Sequence, residues 1–253
     1  MEKSIAIQTK GLTKRYKEKV AVDHLNLTVY EGEMLAFLGV NGAGKTTTIR
    51  MLSGLSVPTE GTAQILGCDV IKEKDQVKAL IGISPQDTAV AENLTVEENL
   101  SFMAGICLER KDEVKSRVEE ILKGFHLEEV RSKLARTLSG GWKRKLSIAM
   151  AIIGKPKVLY LDEPTLGLDV LARRELWREI EGLKSQMTII LTTHYMEEAE
   201  ALADRIAIMI DGQLALTGTL SELEEVTGKK GLEEVFVSVA ERKALDYERQ
   251  ERT

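Results

Sequence analysis

Met34-Leu35-Ala36-Phe37-Leu38-Gly39-Val40-Asn41-Gly42-Ala43-Gly44-Lys45-Thr46-Thr47 is the stretch that decides the architecture. Its first five residues are continuously apolar, as a strand buried on both faces is, and they stop at Gly39, where the chain enters a loop. Residues 39–46 fit G-x-x-x-x-G-K-[ST], and the sequence from Thr47 to Leu52 reads as a helix. The glycines allow backbone N–H groups to curl around a polyphosphate. Lys45 adds a point charge on the β and γ phosphates, and Thr46 offers its hydroxyl to Mg²⁺. A strand, a glycine loop and a helix in that order describe a nucleotide site.

Working outward, Val158 to Leu161 and Thr188 to Leu191 are two further buried strands. The first runs into Asp162, Glu163 and Pro164, two carboxylates at a strand exit that an apolar core would not accept without a cation. With Pro164 holding Glu163 extended, Asp162 faces the Mg²⁺ shell and Glu163 faces a water beyond the γ-phosphate. Phosphoryl transfer to water asks for a metal, charge stabilisation and a group that orients the water, so Glu163 is the candidate base.

Ile5 to Val29 alternates apolar and polar residues around a turn at Lys14 to Lys19, as antiparallel strands do. Thr95 and Glu98 have capping-box spacing, and Val114, Val118, Ile121, Leu122 and Phe125 share a helical face that Gly124 helps end. Residues 88–138 therefore read as a helical insert. Helices are expected from Ser139 to about Gly154 and from Asp169 to about Gly182, and Asp211-Gly212 is a hairpin turn between Ile210 and Gln213. Strands alternating with helices imply an α/β core. Residues after Thr219, another capping-box position with Glu222, become charged and uneven and read as a short accessory tail.

Composition narrows the function classes. The chain has 253 residues, 43% apolar and 30% charged, with 20 Gly and 4 Pro, which is globular composition. Its 35 basic and 40 acidic residues sum to −5, and no basic stripe offers nucleic acid a footprint. The longest stretch free of Lys, Arg, Asp and Glu, Ser185 to Met196, falls short of the roughly 20 apolar residues a bilayer span needs. The start, MEKSIAIQTK, lacks the apolar core of a signal peptide. Cys68 and Cys107 form neither a disulfide framework nor a metal site, so a reducing cytosol is expected.

With a third motif, Leu138-Ser139-Gly140-Gly141-Trp142, the sequence resembles the ATP-binding subunit of ABC transporters. Ser139 followed by Gly140 and Gly141 exposes a helix N-terminus, a second phosphate-binding surface in the same chain. The resemblance covers about Ile5 to Gly218 and implies a P-loop NTPase core with a mixed sheet, an antiparallel N-terminal β-subdomain and the helical insert. It divides the single domain, 1–253, into core (1–87 and 139–218), insert (88–138) and tail (219–253). By position, Gln86 matches the residue that touches Mg²⁺ and joins core to insert. Asp169 in Leu166-Gly167-Leu168-Asp169 matches the loop that crosses a dimer interface. His194 matches the γ-phosphate contact, and Tyr16 matches the aromatic that stacks on adenine.

The resemblance also implies head-to-tail dimers, as a homodimer or with a second ATP-binding subunit, each nucleotide lying between one phosphate loop and the other signature. ATP and Mg²⁺ are the implied cofactors, and integral membrane permease subunits the implied partners, placing the chain on the inner face of the cell membrane. The segments Trp142 to Ser147 and Thr165 to Asp169 look like the branch that exports drugs, antibiotics or lipids, and the 35 residues after Gly218 are too few for the regulatory domain usual in sugar importers. Trp142 and Leu166 depart from the Gln and the small polar residue usual at those positions. Two other readings stand beside this one. A non-transport switch acting on nucleic acid or ribosomes would expect paired cassettes or basic insertions, and a nucleotide-binding regulator would lack Glu163 or His194.

Overall fold

The computed structural model describes residues 3–108 and 110–251, and of 246–251 the backbone only. Residues 1–2, 109 and 252–253 of the expected domain lie outside the described residues. Two sheets carry the chain. β1 (Ile5–Tyr16) and β2 (Lys19–Tyr30) pair antiparallel, and β4 (Glu60–Ile65) and β5 (Cys68–Asp69) extend them to an antiparallel sheet of order β2-β1-β4-β5. The turn between the first two is tighter than the sequence suggests, because pairing continues to Tyr16 and Lys19.

The second sheet has six strands in the order β10-β9-β3-β8-β7-β6. Its members are β3 (Met34–Leu38), β6 (Ile81–Ser84), β7 (Val158–Asp162), β8 (Thr188–Thr193), β9 (Arg205–Ile210) and β10 (Gln213–Gly218). β9, β3, β8, β7 and β6 run parallel, and β10 returns antiparallel through Asp211 and Gly212, whose φ values of 49° and 80° suit a two-residue turn.

Alternation along these strands divides the core in two. Leu35, Phe37, Tyr160, Ile190 and Met209 face the antiparallel sheet and α1 (Lys45–Leu52). Met34, Ala36, Leu38, Leu159, Leu161 and Leu191 face the helical side. That side holds α3 (Val96–Cys107), α4 (Lys111–Gly124), α5 (Gly140–Ile152), α6 (Val170–Glu181) and α7 (Met196–Leu202), while α2 (Lys74–Leu80) leads into β6. α3 opens on the Thr95–Glu98 capping box. The insert is fastened to the core where Arg117 donates to Ile152 O (2.7 Å) and Ile153 O (3.0 Å), capping the carbonyl end of α5.

The tail forms α8 (Leu220–Thr227) and α9 (Leu232–Glu251). Leu223, Leu232, Val235 and Val239 are buried in the helical-side core. The last three recur at helical spacing among exposed charges, which is why the segment looks uneven in sequence. Cys68 is half-buried and Cys107 exposed.

Candidate functional site

The register of the parallel strands brings their carboxyl ends level: Leu38 pairs with Thr193, and Asp162 with Thr192. Ligands of open α/β sheets bind at this edge. Gly39 to Gly44 wrap there before α1 starts, with Gly42 and Gly44 at φ 87° and 101°. A Cβ on Gly44 would stand 2.5 Å from Ala21 O, so both backbone sign and space demand glycine.

A cavity of about 430 Å³ opens over this loop. Tyr16, Asn41, Gly42, Ala43, Gly44, Lys45, Thr46, Thr47, Gln86 and Glu163 line it. Tyr16 stands half-exposed at the rim, with Lys14 Nζ 5.1 Å over its ring. Thr46 Oγ1 donates to Asp162 Oδ1 at 3.0 Å, and Thr192 Oγ1 donates to the same oxygen. Lys45 is buried, and its ammonium donates to Gly39 O (2.7 Å) and Val40 O (3.3 Å) and pairs with Glu163 Oε1 at 3.3 Å. The other oxygen of Glu163 accepts from His194 Nδ1 at 2.7 Å. Glu163 is therefore a buried carboxylate clasped between a lysine and a histidine.

The extended Glu163 expected from the following proline is not what the fold adopts. Its φ is 49°, in the left-handed region, and its N–H donates to Thr192 O (3.1 Å) and Thr192 Oγ1 (3.0 Å). Proline biases its predecessor toward extended backbone, and here these bonds to β8 override that bias and hold the chain in the rarer bend. The bend turns the carboxylate toward Lys45 and His194.

Ser139, Gly140, Gly141 and Asp169 do not line this cavity. They form a second group, in which a Cβ on Gly140 would lie 3.9 Å from Leu168 and one on Gly141 3.5 Å from Ala172. Ser139 occupies the N-cap position of α5 but makes no side-chain capping bond, and it is exposed with Gly140. Asp169 caps α6, accepting from Leu171 N (2.9 Å) and Ala172 N (3.0 Å). Trp142 is half-buried against the helical-side core, with Lys145 Nζ 4.9 Å over its ring. One chain thus carries a glycine-rich loop beneath an open cavity and a separate, outward-facing helix N-terminus.

Two participants escape the sequence reading. Arg144 of α5 is buried and donates to Pro85 O (2.7 Å) and Gln86 O (2.6 Å), tying the helix after Ser139 to the Gln86 loop. Burial lowers its guanidinium's pKa, with the charges of Asp162, Asp87 and Glu198 opposing. Thr192 serves both acidic residues, donating from Oγ1 to the Asp162 carboxylate and accepting from the Glu163 backbone N–H; its signal is the pair of threonines that follows the apolar run 189–191. For a divalent ion the donors at hand are the Thr46 hydroxyl, the Asp162 carboxylate and the Gln86 amide oxygen. All are hard oxygen donors, and among the described residues no cluster of three His, Cys, Asp or Glu could hold an ion alone. That set fits Mg²⁺, which keeps waters and shares phosphate oxygens.

The ABC transporter family profile matches residues 22–166. The chain is 42% identical over 228 residues to the daunorubicin/doxorubicin resistance ATP-binding protein DrrA of Streptomyces peucetius, covering 90% of this chain and 69% of that protein. It is 47% identical over 223 residues to ABC transporter A family member 9 of Dictyostelium discoideum, covering 86% of this chain but only 26% of that relative's length. A solved ATP binding subunit of an ABC transporter superposes with a TM-score of 0.83 at 30% identity, covering 92% of this chain and 99% of that one. The ATP-binding cassette MJ0796, in a dimeric post-hydrolysis state bound to ADP and Pi, superposes with a TM-score of 0.77 at 26% identity, covering 85% and 98%.

Proposed function

The chain belongs to the ABC transporter family of ATP-binding cassettes, and from that premise we propose that it hydrolyses MgATP as one half of a head-to-tail dimer that powers export through separate membrane subunits. The observation that carries the reading is Glu163, buried between Lys45 and His194 on the wall of the phosphate-loop cavity.

Lys45 and the N–H groups of residues 41–47 hold the β and γ phosphates, and Tyr16 at the rim stacks on the base. Thr46 and Asp162, with Gln86, hold Mg²⁺, which supplies charge for the developing phosphate oxygens. Lys45 and Glu163 pair with each other on the cavity wall. An incoming γ-phosphate competes for Lys45 and releases Glu163, which then accepts a hydrogen bond from the attacking water. His194 keeps the carboxylate oriented. Ser139, Gly140 and Gly141 of a second copy close the nucleotide with a helix N-terminus, and Asp169 lies beside that junction. The outward-facing second group and the dimeric ADP-bound relative support this pairing.

The permease is placed on an apolar groove of about 740 Å³ where Met103, Ile106 and Cys107 of α3 face Leu55 and Ile83. β6 on its edge ends two residues before Gln86, and the insert, 88–138, begins two residues after it. No helix among the described residues is long and apolar enough to cross a membrane, so attachment to the inner membrane face is assigned to the permease. The same division into core (1–87 and 139–218), insert and tail (219–253) is proposed for the working parts.

Phosphate release with MgATP tests the proposal. Glu163→Gln should bind ATP but lose a factor of roughly 10² to 10⁴ in rate, the range for a general base. Hydrolysis at the wild-type rate would refute the assignment, and co-purification of a membrane protein with the wild-type chain tests the partner.

A further inference from the structure

Glu198, on α7, is 0% exposed and belongs to none of the groups described above. Its Oε1 accepts from Thr165 Oγ1 at 2.8 Å and from Trp177 Nε1 at 3.0 Å, and its Oε2 is buried without a hydrogen-bond partner. A fully buried carboxylate with an orphan oxygen is costly, so a fold that keeps one holds it for a contact that a hydrophobic residue could not supply.

The contact closes a ring. Thr165 follows Glu163 by two residues, and Glu198 follows His194 by four. Glu163, Pro164 and Thr165 are joined by the chain; Thr165 is bonded to Glu198; Glu198 reaches His194 through the first turn of α7; and His194 Nδ1 returns to Glu163 Oε2 at 2.7 Å. The Trp177 bond braces the same oxygen from α6 but lies outside the ring. We propose that Glu198 is a positioning residue, whose bond to Thr165 sets the separation of Glu163 and His194 and so the aim of the carboxylate that orients water. The proposal rests on the hydrolytic reading above.

Burial pushes the Glu198 carboxyl upward; the hydroxyls of Thr193 and Thr165 and the Trp177 indole oppose it, and the negative charge of Glu163 adds to it. Oε1 is an acceptor in either protonation state of the carboxyl, so the ring needs an oxygen and not a charge. Glutamine at position 198 keeps that oxygen; alanine does not.

Two variants that each remove one bond to the same oxygen separate positioning from stability. Thr165→Val opens the ring with an isosteric side chain, and Trp177→Phe removes only the brace. Thr165→Val should lower kcat for ATP by up to about 100-fold, with KM within about twofold, because misplaced reacting groups cost rate and not ground-state binding. Trp177→Phe should retain kcat within about twofold, and Glu198→Gln should restore what Glu198→Ala loses. An activity-independent readout is the ¹⁵N shift of His194 Nδ1 in the nucleotide-free chain, assigned against variants of His24 and His126, the other two of the 3 histidines. It should move in Thr165→Val and stay in Trp177→Phe. Equal loss of kcat in both variants, or an unmoved His194 signal in Thr165→Val, would overturn the proposal. A wild-type chain that fails to hydrolyse ATP would instead refute the hydrolytic reading, and the His194 signal would still decide whether the ring positions that side chain.

Discussion

Glu163→Gln should make the nucleotide-free chain less stable and at the same time bind ATP more tightly. Lys45 and Glu163 are 3.3 Å apart and both nearly fully buried. At that separation, with an effective dielectric constant of 20, their attraction is about 5 kcal/mol before solvation is counted. Glutamine keeps the shape and leaves Lys45 its bonds to Gly39 O and Val40 O, so the net loss is nearer a single charged hydrogen bond, about 1.5–3 kcal/mol. For a chain of this size each kcal/mol moves Tm by about 2–4 °C, giving a drop of about 3–12 °C. ATP should reverse the deficit, because on the proposed reading phosphate oxygens replace Glu163 at Lys45. In the wild type the same binding would first have to break the pair. The same 1.5–3 kcal/mol then appears as affinity, about 10-fold to 150-fold tighter binding in the variant. Thermal unfolding without nucleotide, and calorimetric titration with a non-hydrolysable ATP analogue and Mg²⁺, measure the two effects separately. Equal Tm and equal Kd in wild type and variant would refute the clasp.

Lys45→Ala should weaken MgATP binding by about 10-fold to 150-fold, the worth of one charge-assisted hydrogen bond, and calorimetry showing an unchanged Kd would reject the phosphate site. Tyr160 lies fully buried in β7 with a hydroxyl that has no partner, so Tyr160→Phe should raise stability by about 1–2 kcal/mol in denaturant unfolding; a destabilised variant would mean the hydroxyl is satisfied. The raised pKa of Glu198 gives a pH signature: between the ordinary value of 4.5 and the folded one, the native state holds the proton that the unfolded state has lost. Wild-type stability therefore falls as pH rises through that window, and the Tm of Glu198→Gln minus that of wild type should grow from pH 4.5 upward and then level off. A difference that shrinks with pH would contradict the sign.

The parts legible in the sequence are those set by neighbours along the chain. Met34–Leu38 and Val158–Asp162 announce themselves as apolar runs, Thr95 and Thr219 cap their helices through residues three positions on, and Asp211-Gly212 makes its turn from two residues alone. The phosphate loop belongs to the same class. What the sequence hides is set by close approach between distant segments. The bend at Glu163 depends on Thr192, 29 residues away, and Arg144 finds Gln86 across 58 residues. Glu198 sits among acidic neighbours on α7 that read as a solvated face, and only the packing of α6 over it shows that this one is buried. The tail is intermediate, since Leu232, Val235 and Val239 have helical spacing but too few apolar companions to stand out.

In the proposed dimer each nucleotide is held by the phosphate loop of one chain and the signature of another. Lys45→Ala disables the first surface and Ser139→Arg the second, so each variant alone should release little phosphate from MgATP. Mixed in equal amounts, they form dimers in which the intact phosphate loop of the Ser139→Arg chain meets the intact signature of the Lys45→Ala chain. Phosphate release from the mixture should then rise well above the sum of the two variants measured separately. A mixture no more active than that sum, or a Ser139→Arg chain as active alone as the wild type, would contradict the shared site.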